Sequence, residues 1–448
     1  MVSAAEQLAS NLNFGAFAKA EELKKRIWFT LGALIIYRLG TYIPIPGIDP
    51  VAFAAAFKNQ SSGILGMFNM FAGGAVERMA IFALNIMPYI SASIIMQLMT
   101  SVVPTLEQLK KEGEQGRKQI NQYTRYLTVG LATFQAYGIA FGLQGSRGQF
   151  GPVVADPGPF FIISTVVTLV GGTMFLMWLG EQITARGVGN GTSLIIMSGI
   201  VAGLPSALAG LLELSRQGAI SVPLLMMLLV LMLAVVGAIV FIERAQRRLL
   251  VQYPKRQMGN RMFQGDASHL PLKLNSSGVI PPIFASSLLL LPITVAQFSA
   301  GSGPDWLNSI VAALGRGQPL YLSVYVAMIV FFTFFYTAIV LNPQETADNL
   351  RKYGGFLPGI RPGAKTAEYI DYVLTRITVI GAIYLSAVCV LPEILISYWA
   401  VPFYFGGTSL LIAVSVTMDT VAQIQSHLLA HQYEGLIKKA KLRGATRR

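Results

Sequence analysis

Apolar runs of about 20 residues recur from the first quarter of the chain to its end, and each is long enough to cross roughly 30 Å of hydrocarbon. Ten of them are legible, at approximately 27–43, 79–99, 126–143, 159–180, 192–212, 221–242, 278–298, 320–341, 374–395 and 406–429. The 448 residues are 53% hydrophobic and 12% charged, where soluble domains carry about 25% charge. The expected fold class is therefore all-α: a polytopic membrane protein of ten transmembrane helices. A cleavable signal peptide does not fit, because the first apolar run starts near Ile27 behind a polar segment and nine more follow. The single cysteine, Cys389, lies in an apolar run, which excludes a disulfide or cysteine–metal framework.

A formal net charge of +13 would suit nucleic acid, but the placement of the cations argues for topology instead. With the N-terminus in the cytoplasm, 28 of the 34 Lys and Arg residues fall in the N-terminal segment, the inner loops and the tail. Five fall outside (Lys58, Arg78, Arg147, Arg216 and Arg316), and Arg38 lies within the first span. This is the asymmetry of the positive-inside rule, and it predicts that both termini are cytoplasmic. The ten spans divide into an N-terminal half, 1–212, and a C-terminal half, 213–448. Five is odd, so two such halves would be inverted relative to each other, as in many transport folds. That symmetry rests on span count alone.

Several segments exceed what topology needs. The amphipathic start, NFGAFAKAEELKKRIWF, pairs Phe14, Phe17 and Leu23 with Lys19, Lys24, Lys25 and Arg26. It reads either as a helix lying on anionic headgroups of the inner leaflet or as a topogenic flank of the first span. Two inner loops, 243–278 and 342–376, are long and basic. The first alternates basic and β-prone residues, which predicts a short hairpin with Gly259-Asn260 near its turn. The second carries Pro358-Gly359 and Pro362-Gly363 around Arg361, a density that fixes an exposed tip. Both are either ordinary positive-inside loops or docking surfaces for an anionic cytosolic partner. The stretch from Ile64 to Met99 is apolar but too long for one ordinary span; Gly73-Gly74 breaks it, and Glu77-Arg78 sets two charges beside the break.

Enzyme chemistry is hard to place. His269, His427 and His431 form no metalloprotease motif and have no partner nucleophile in the spans. The GVGNG run at 187–191 lacks the Lys-Ser/Thr and the preceding strand of a phosphate loop, and reads as the cap between two spans. No catalytic residue, metal site or cofactor is expected. The alternative to a channel is a secondary transporter of small solutes with inverted repeats. It needs ionisable groups at mid-membrane depth, and the spans offer only Arg38 and Glu181 near ends and Asp419 in the last. Ile86, Ile90, Ile196, Ile283 and Ile412 come from four helices, each beside Gly, Pro or Ser; periodicity alone makes them packing or lipid-facing residues.

Eight motifs occur in order: IPIPGID (43–49), FNMFAGG (68–74), NIMPYISAS (85–93), EQITARGVGNG (181–191), HLPLKLNSSGVIPP (269–282), NPQETADNL (342–350), PGIRPG (358–363) and VPFYFGGTSLLI (401–412). Together they resemble the SecY family, the channel subunits of the bacterial protein translocase, from about residue 20 to the C-terminus. The resemblance implies a channel that conducts unfolded preproteins across the inner membrane and releases transmembrane segments sideways into lipid. It implies a re-entrant plug helix at about 64–74, carrying Ile64, Met67, Phe68, Met70, Phe71, Gly73 and Gly74, with a full span behind it. A pore ring would comprise Ile86, Ile90, Thr192, Ile196, Ile283 and Ile412. Thr192 stands where an aliphatic residue is usual. A polar patch at the lateral gate would map to Ser91, Gln135 and Asn275. Arg247, Arg248, Lys255, Arg256, Arg261 and Arg361 would dock the motor ATPase SecA or the ribosome; position 260 is Asn where relatives commonly carry a second Arg. The implied partners are SecE and SecG in a heterotrimer, SecA, the ribosome, preprotein signal sequences, SecD/SecF and YidC, and a bilayer with anionic headgroups.

Overall fold

The computed structural model describes residues 20–58, 69–144, 147–148, 151–218, 221–253, 256–258, 261–263, 267–298, 318–399 and 407–445. The helices are α1 (Glu21–Gly40), α2 (Pro50–Lys58), α3 (Met87–Val102), α4 (Pro104–Lys111), α5 (Glu114–Gln144), α6 (Pro159–Arg186), α7 (Gly191–Arg216), α8 (Val222–Arg244), α9 (Ile280–Phe298), α10 (Pro319–Val340), α11 (Pro343–Lys352), α12 (Ala364–Trp399) and α13 (Gly407–Ala445). Short antiparallel pairs interrupt them: β1 (Arg147–Gly148) with β2 (Gly151–Pro152), β3 (Gln246–Gln252) with β6 (Ala267–Lys273), and β4 (Arg256–Met258) with β5 (Arg261–Phe263). Six described helices are long and apolar enough to cross a membrane, or seven if α3 and α4, bent by 98° at Val103, count as one. Helices also cover the other expected spans, with α1, α9 and α13 lying on the first, seventh and tenth. The chain is thus a multi-span, all-α membrane protein.

Its compact units are two. One comprises 1–206, 294–303 and 416–448; the other comprises 207–293 and 304–415. In the first, Ala132, Ala136 and Ala140 of α5, all fully buried, share a core with Leu169 of α6, with Met79, Ala83 and Leu84 and with Ile45 and Val153. Alanines spaced by four present one smooth face of α5, and small residues let membrane helices approach closely.

The second span departs from its expected start. The sequence predicts a helix from about residue 79, but α3 begins only at Met87, and 72–86 is a succession of turns. The cause is local: Gly73, Gly74, Met79 and Asn85 all have positive φ, a region that ends a right-handed helix. The backbone groups so freed find partners. Ile45 N donates to Met79 O at 3.0 Å, and Ile81 N donates to Ile43 O at 2.9 Å. Backbone of this kind at membrane depth is tolerated only inside protein or beside a watery cavity.

In the second unit the two long basic loops form one body. The seven-residue strands β3 and β6 pair along their whole length, from Gln246↔Lys273 to Gln252↔Ala267. Beyond them β4 and β5 flank residues 259–260, the turn expected from the sequence, which lie outside the described residues. Gln252 and Phe356 exchange two backbone hydrogen bonds of 2.9 Å, tying this ladder to the second loop. Leu249, Val251 and Leu272 then bury against Leu357 of that loop and Ile370, Leu374 and Ile377 of α12. Because Leu357 is fully enclosed, Leu357→Ala is expected to cost this body about 2–5 kcal/mol. The measurement is hydrogen exchange over 246–273, and unchanged protection there would show that the loops are held independently.

Candidate functional site

The segment 69–86 is the first candidate site, and each of its turns is pinned. Asn69 accepts from Glu77 N through Oδ1 at 2.9 Å, while Gly74 N donates to Asn69 O at 2.8 Å. Phe71, Ala72, Ala75 and Ala80 are buried, the alanines against Phe57 of α2. Phe82 stacks between Tyr37 and Phe175, with ring centroids 6.2 and 5.8 Å away. Two side chains reach the backbone of the segment. Arg38 donates through Nη1 to Gly73 O, and Asn85 donates through Nδ2 to Phe71 O at 2.7 Å. Beneath them, Gly199 of α7 comes so close that a Cβ would lie 3.1 Å from Gly73 N. Ile64, Met67 and Phe68 lie outside the described residues.

At the head of α3, Ile86 and Ile90 stand one turn apart and are buried, Ile90 N donating to Ile86 O at 3.1 Å. Ile196 of α7 is buried, and Thr192, one turn earlier, is half-buried. The Thr192 hydroxyl lies beside Gly180 of α6, where a Cβ would be 3.5 Å from it. In the other unit, Ile283 on α9 and Ile412 on α13 are buried.

Ser91 on α3 and Gln135 on α5 are buried polar residues of the first unit. Asn275 belongs to the second, and its surroundings hold a residue that sequence reasoning missed. Its Nδ2 donates to Oε1 of Glu243 at 2.7 Å and to Gly278 O at 3.1 Å, and Oδ1 accepts from Ser277 at 3.0 Å. Glu243 lies in the last turn of α8, thirty-two residues earlier, so no local signal in the sequence pairs the two. Arg125 and Glu181 were equally unforeseen as partners. They join α5 to α6 through Arg125 Nη2, at 2.9 and 2.7 Å from the two carboxylate oxygens.

On the basic loops, Arg247 and Arg248 lie on β3 and are exposed. Lys255 is outside the described residues; Arg256 and Arg261 lie on β4 and β5, with side chains outside the described set. Arg361 is exposed at its tip, between Gly359 (φ 81°) and Gly363 (φ 106°), and its carbonyl accepts from Thr366 Oγ1 at 2.9 Å. A groove beside it is lined by Ile360, Arg361, Lys365, Glu368, Tyr369 and Tyr372. There Lys365 donates to Glu368 at 2.7 Å, and that bond, reinforced by the lysine's charge, holds the Glu368 carboxyl below its ordinary range.

The chain is a multi-span helical membrane protein with an irregular, pinned strap ahead of its second span and basic loops fused into one body. The SecY family profile matches residues 80–421. The protein translocase subunit SecY of Rickettsia conorii is 57% identical over 422 residues, covering 94% of this chain and 97% of that protein. SecY of Escherichia coli K12 is 56% identical over 424 residues, covering 94% and 96%. The chain belongs to the SecY family. Solved structures share the fold at lower identity. A protein-conducting channel superposes with a TM-score of 0.62 at 17% identity, covering 90% of this chain and 92% of its own. A SecY channel studied for the plug domain that stabilises its closed state gives 0.66 at 17% identity, with the same coverage. The yeast Ssh1 complex bound to the 80S ribosome gives 0.60 at 16%, covering 88% of each chain.

Proposed function

We infer that this chain is the channel-forming subunit of a protein translocase, conducting unfolded preproteins across the inner membrane and releasing apolar segments into lipid. The observation that carries the reading is its identity of 57% with a translocase subunit over 94% of its length. Both termini face the cytoplasm, as the cation asymmetry requires. The chain works as two halves, 1–212 and 213–448, clamped by SecE and accompanied by SecG.

Ile86, Ile90, Thr192, Ile196, Ile283 and Ile412 form the waist of the pore. A ring of branched apolar side chains breaks a continuous water thread and so blocks ions by dewetting. Its five isoleucines also give a passing peptide no side-chain hydrogen bonds to hold it, the Thr192 hydroxyl being the exception. Residues 64–74 are the plug that stoppers this waist from outside. Ser91, Gln135 and Asn275 form the polar patch of the lateral gate, where a hydrogen bond made across membrane helices is worth about 1 kcal/mol. That is small enough for a signal sequence to overturn by intercalating. The fused basic loops dock SecA or the ribosome, with Arg361 as the coupling residue, so energy enters from ATP, the proton-motive force or synthesis itself. SecD/SecF and YidC are further partners of this core.

Cross-linking tests the channel reading directly. A single cysteine at Ile86 or Ile283 is expected to capture a stalled secretory chain, and a preprotein that touches neither would remove the pore assignment. SecA-driven uptake of a precursor into vesicles holding this chain with SecE separates the translocase from the small-solute transporter.

A further inference from the structure

The backbone of the plug strap is gripped by side chains as well as by its own turns, and one of these is a cation inside the first span. Arg38 is half-buried near the outer end of α1, where a charge is costly unless it is well partnered. Its Nη2 donates to Tyr42 Oη at 3.0 Å, and its Nη1 reaches Thr41 Oγ1 at 3.4 Å as well as Gly73 O. Tyr42 also carries a second guanidinium: Arg78 lies 4.1 Å from its ring centroid and Arg38 lies 4.9 Å away. The strap is therefore bracketed, with Arg78 on it and Arg38 across from it. Gly73 occupies φ 64°, and a Cβ there would lie 3.0 Å from both Arg38 Nη1 and the Cα of Gly199. Two residues earlier, the carbonyl of Phe71 is taken by Asn85, itself at φ 49°.

We propose that Arg38, seconded by Asn85, is the clasp that keeps the plug seated in the resting channel. This rests on the plug reading of residues 64–74 given above. Both are positioning residues, acting through main-chain oxygens of residues 71 and 73. A bond from a cation to a carbonyl is among the stronger hydrogen bonds a protein makes, yet it can be exchanged for bonds to water wherever water reaches it. The clasp is therefore firm at rest and releasable. It is also indifferent to the side chains of the plug, because it grips only backbone. The simpler role for Arg38, a cation complementing the C-terminal end of α1, would not depend on the plug at all.

The experiment measures resting ion conductance of the channel complex, purified with its partners and reconstituted in planar bilayers. Arg38→Met is expected to raise it about tenfold, the factor that one charged hydrogen bond of ordinary strength represents. Arg38→Lys should keep most of the seal. In a channel lacking residues 64–72, which is itself expected to leak, Arg38→Met should add nothing further. If Arg38→Met is as tight as the parent while the deletion leaks, the clasp is wrong and the plug reading stands. The clasp is equally wrong if Arg38→Met raises conductance by the same factor in both backgrounds. A tight deletion channel overturns the plug reading and the clasp with it. Should Arg38→Met fail to accumulate, Asn85→Gly releases the other carbonyl without touching a charge and suits the positive φ; an unchanged conductance there overturns the proposal.

Discussion

Deleting residues 64–72 is expected to raise the resting ion conductance of the reconstituted channel by roughly tenfold or more, with assembly intact. A closed state favoured by even a few kcal/mol admits ions only through a minor population, and removing what favours it shifts that population by at least this factor. Assembly should survive because the main core of the unit is made by residues outside the deletion. That core is built from α5 and α6, from Met79, Ala83 and Leu84 of the strap and from the 45–48 and 153–154 segments, and the Pro44–Ala80 bridge that ties the strap to 43–45 lies beyond the deletion. The deletion does remove Phe71, whose carbonyl Asn85 holds, and Ala72, which packs against Phe57. The cost is therefore local to the strap. A conductance equal to that of the parent would argue that the segment seals nothing.

Arg361→Glu should slow SecA-driven secretion by roughly tenfold or more while leaving the accumulation of the protein unchanged; reversing a charge at a docking surface replaces an attraction by a repulsion of several kcal/mol in a partly desolvated contact. Arg361 is exposed, and the turn presenting it is held by backbone, through Thr366 Oγ1 and the positive-φ glycines on either side. Surface changes of this kind alter stability by about 0.5 kcal/mol or less. A loss of secretion with normal protein levels and normal hydrogen exchange over 246–273 would place the effect at the contact. Normal secretion in this variant would take the coupling role from Arg361.

The helices were legible because hydrocarbon imposes length and apolarity on every span, and a chain in which such runs keep recurring has few other folds open to it. The hairpin at 246–273 was legible from alternation around Gly259-Asn260. The start of the second span was not, because Met79 and Asn85 carry no turn signal of glycine or proline strength, and only the bonds they make to 43–45 and Phe71 justify their positive φ. The partners of the site residues were hidden for a similar reason. Glu243 meets Asn275, Arg125 meets Glu181 and Arg38 meets Gly73 across 32, 56 and 35 residues, distances over which spacing says nothing. Gly199 looks in sequence like any small residue in a span; its meaning lies in how near the chain passes at Phe71 and Gly73.

The joint core beneath the two basic loops has a mechanical consequence. Leu249 and Val251 on one loop, Leu357 on the other and Ile370, Leu374 and Ile377 at the root of α12 bury one another. Whatever grips either tip therefore loads a single lever whose fulcrum is the base of a span. A partner docking at either tip would deliver its thrust to the same helix.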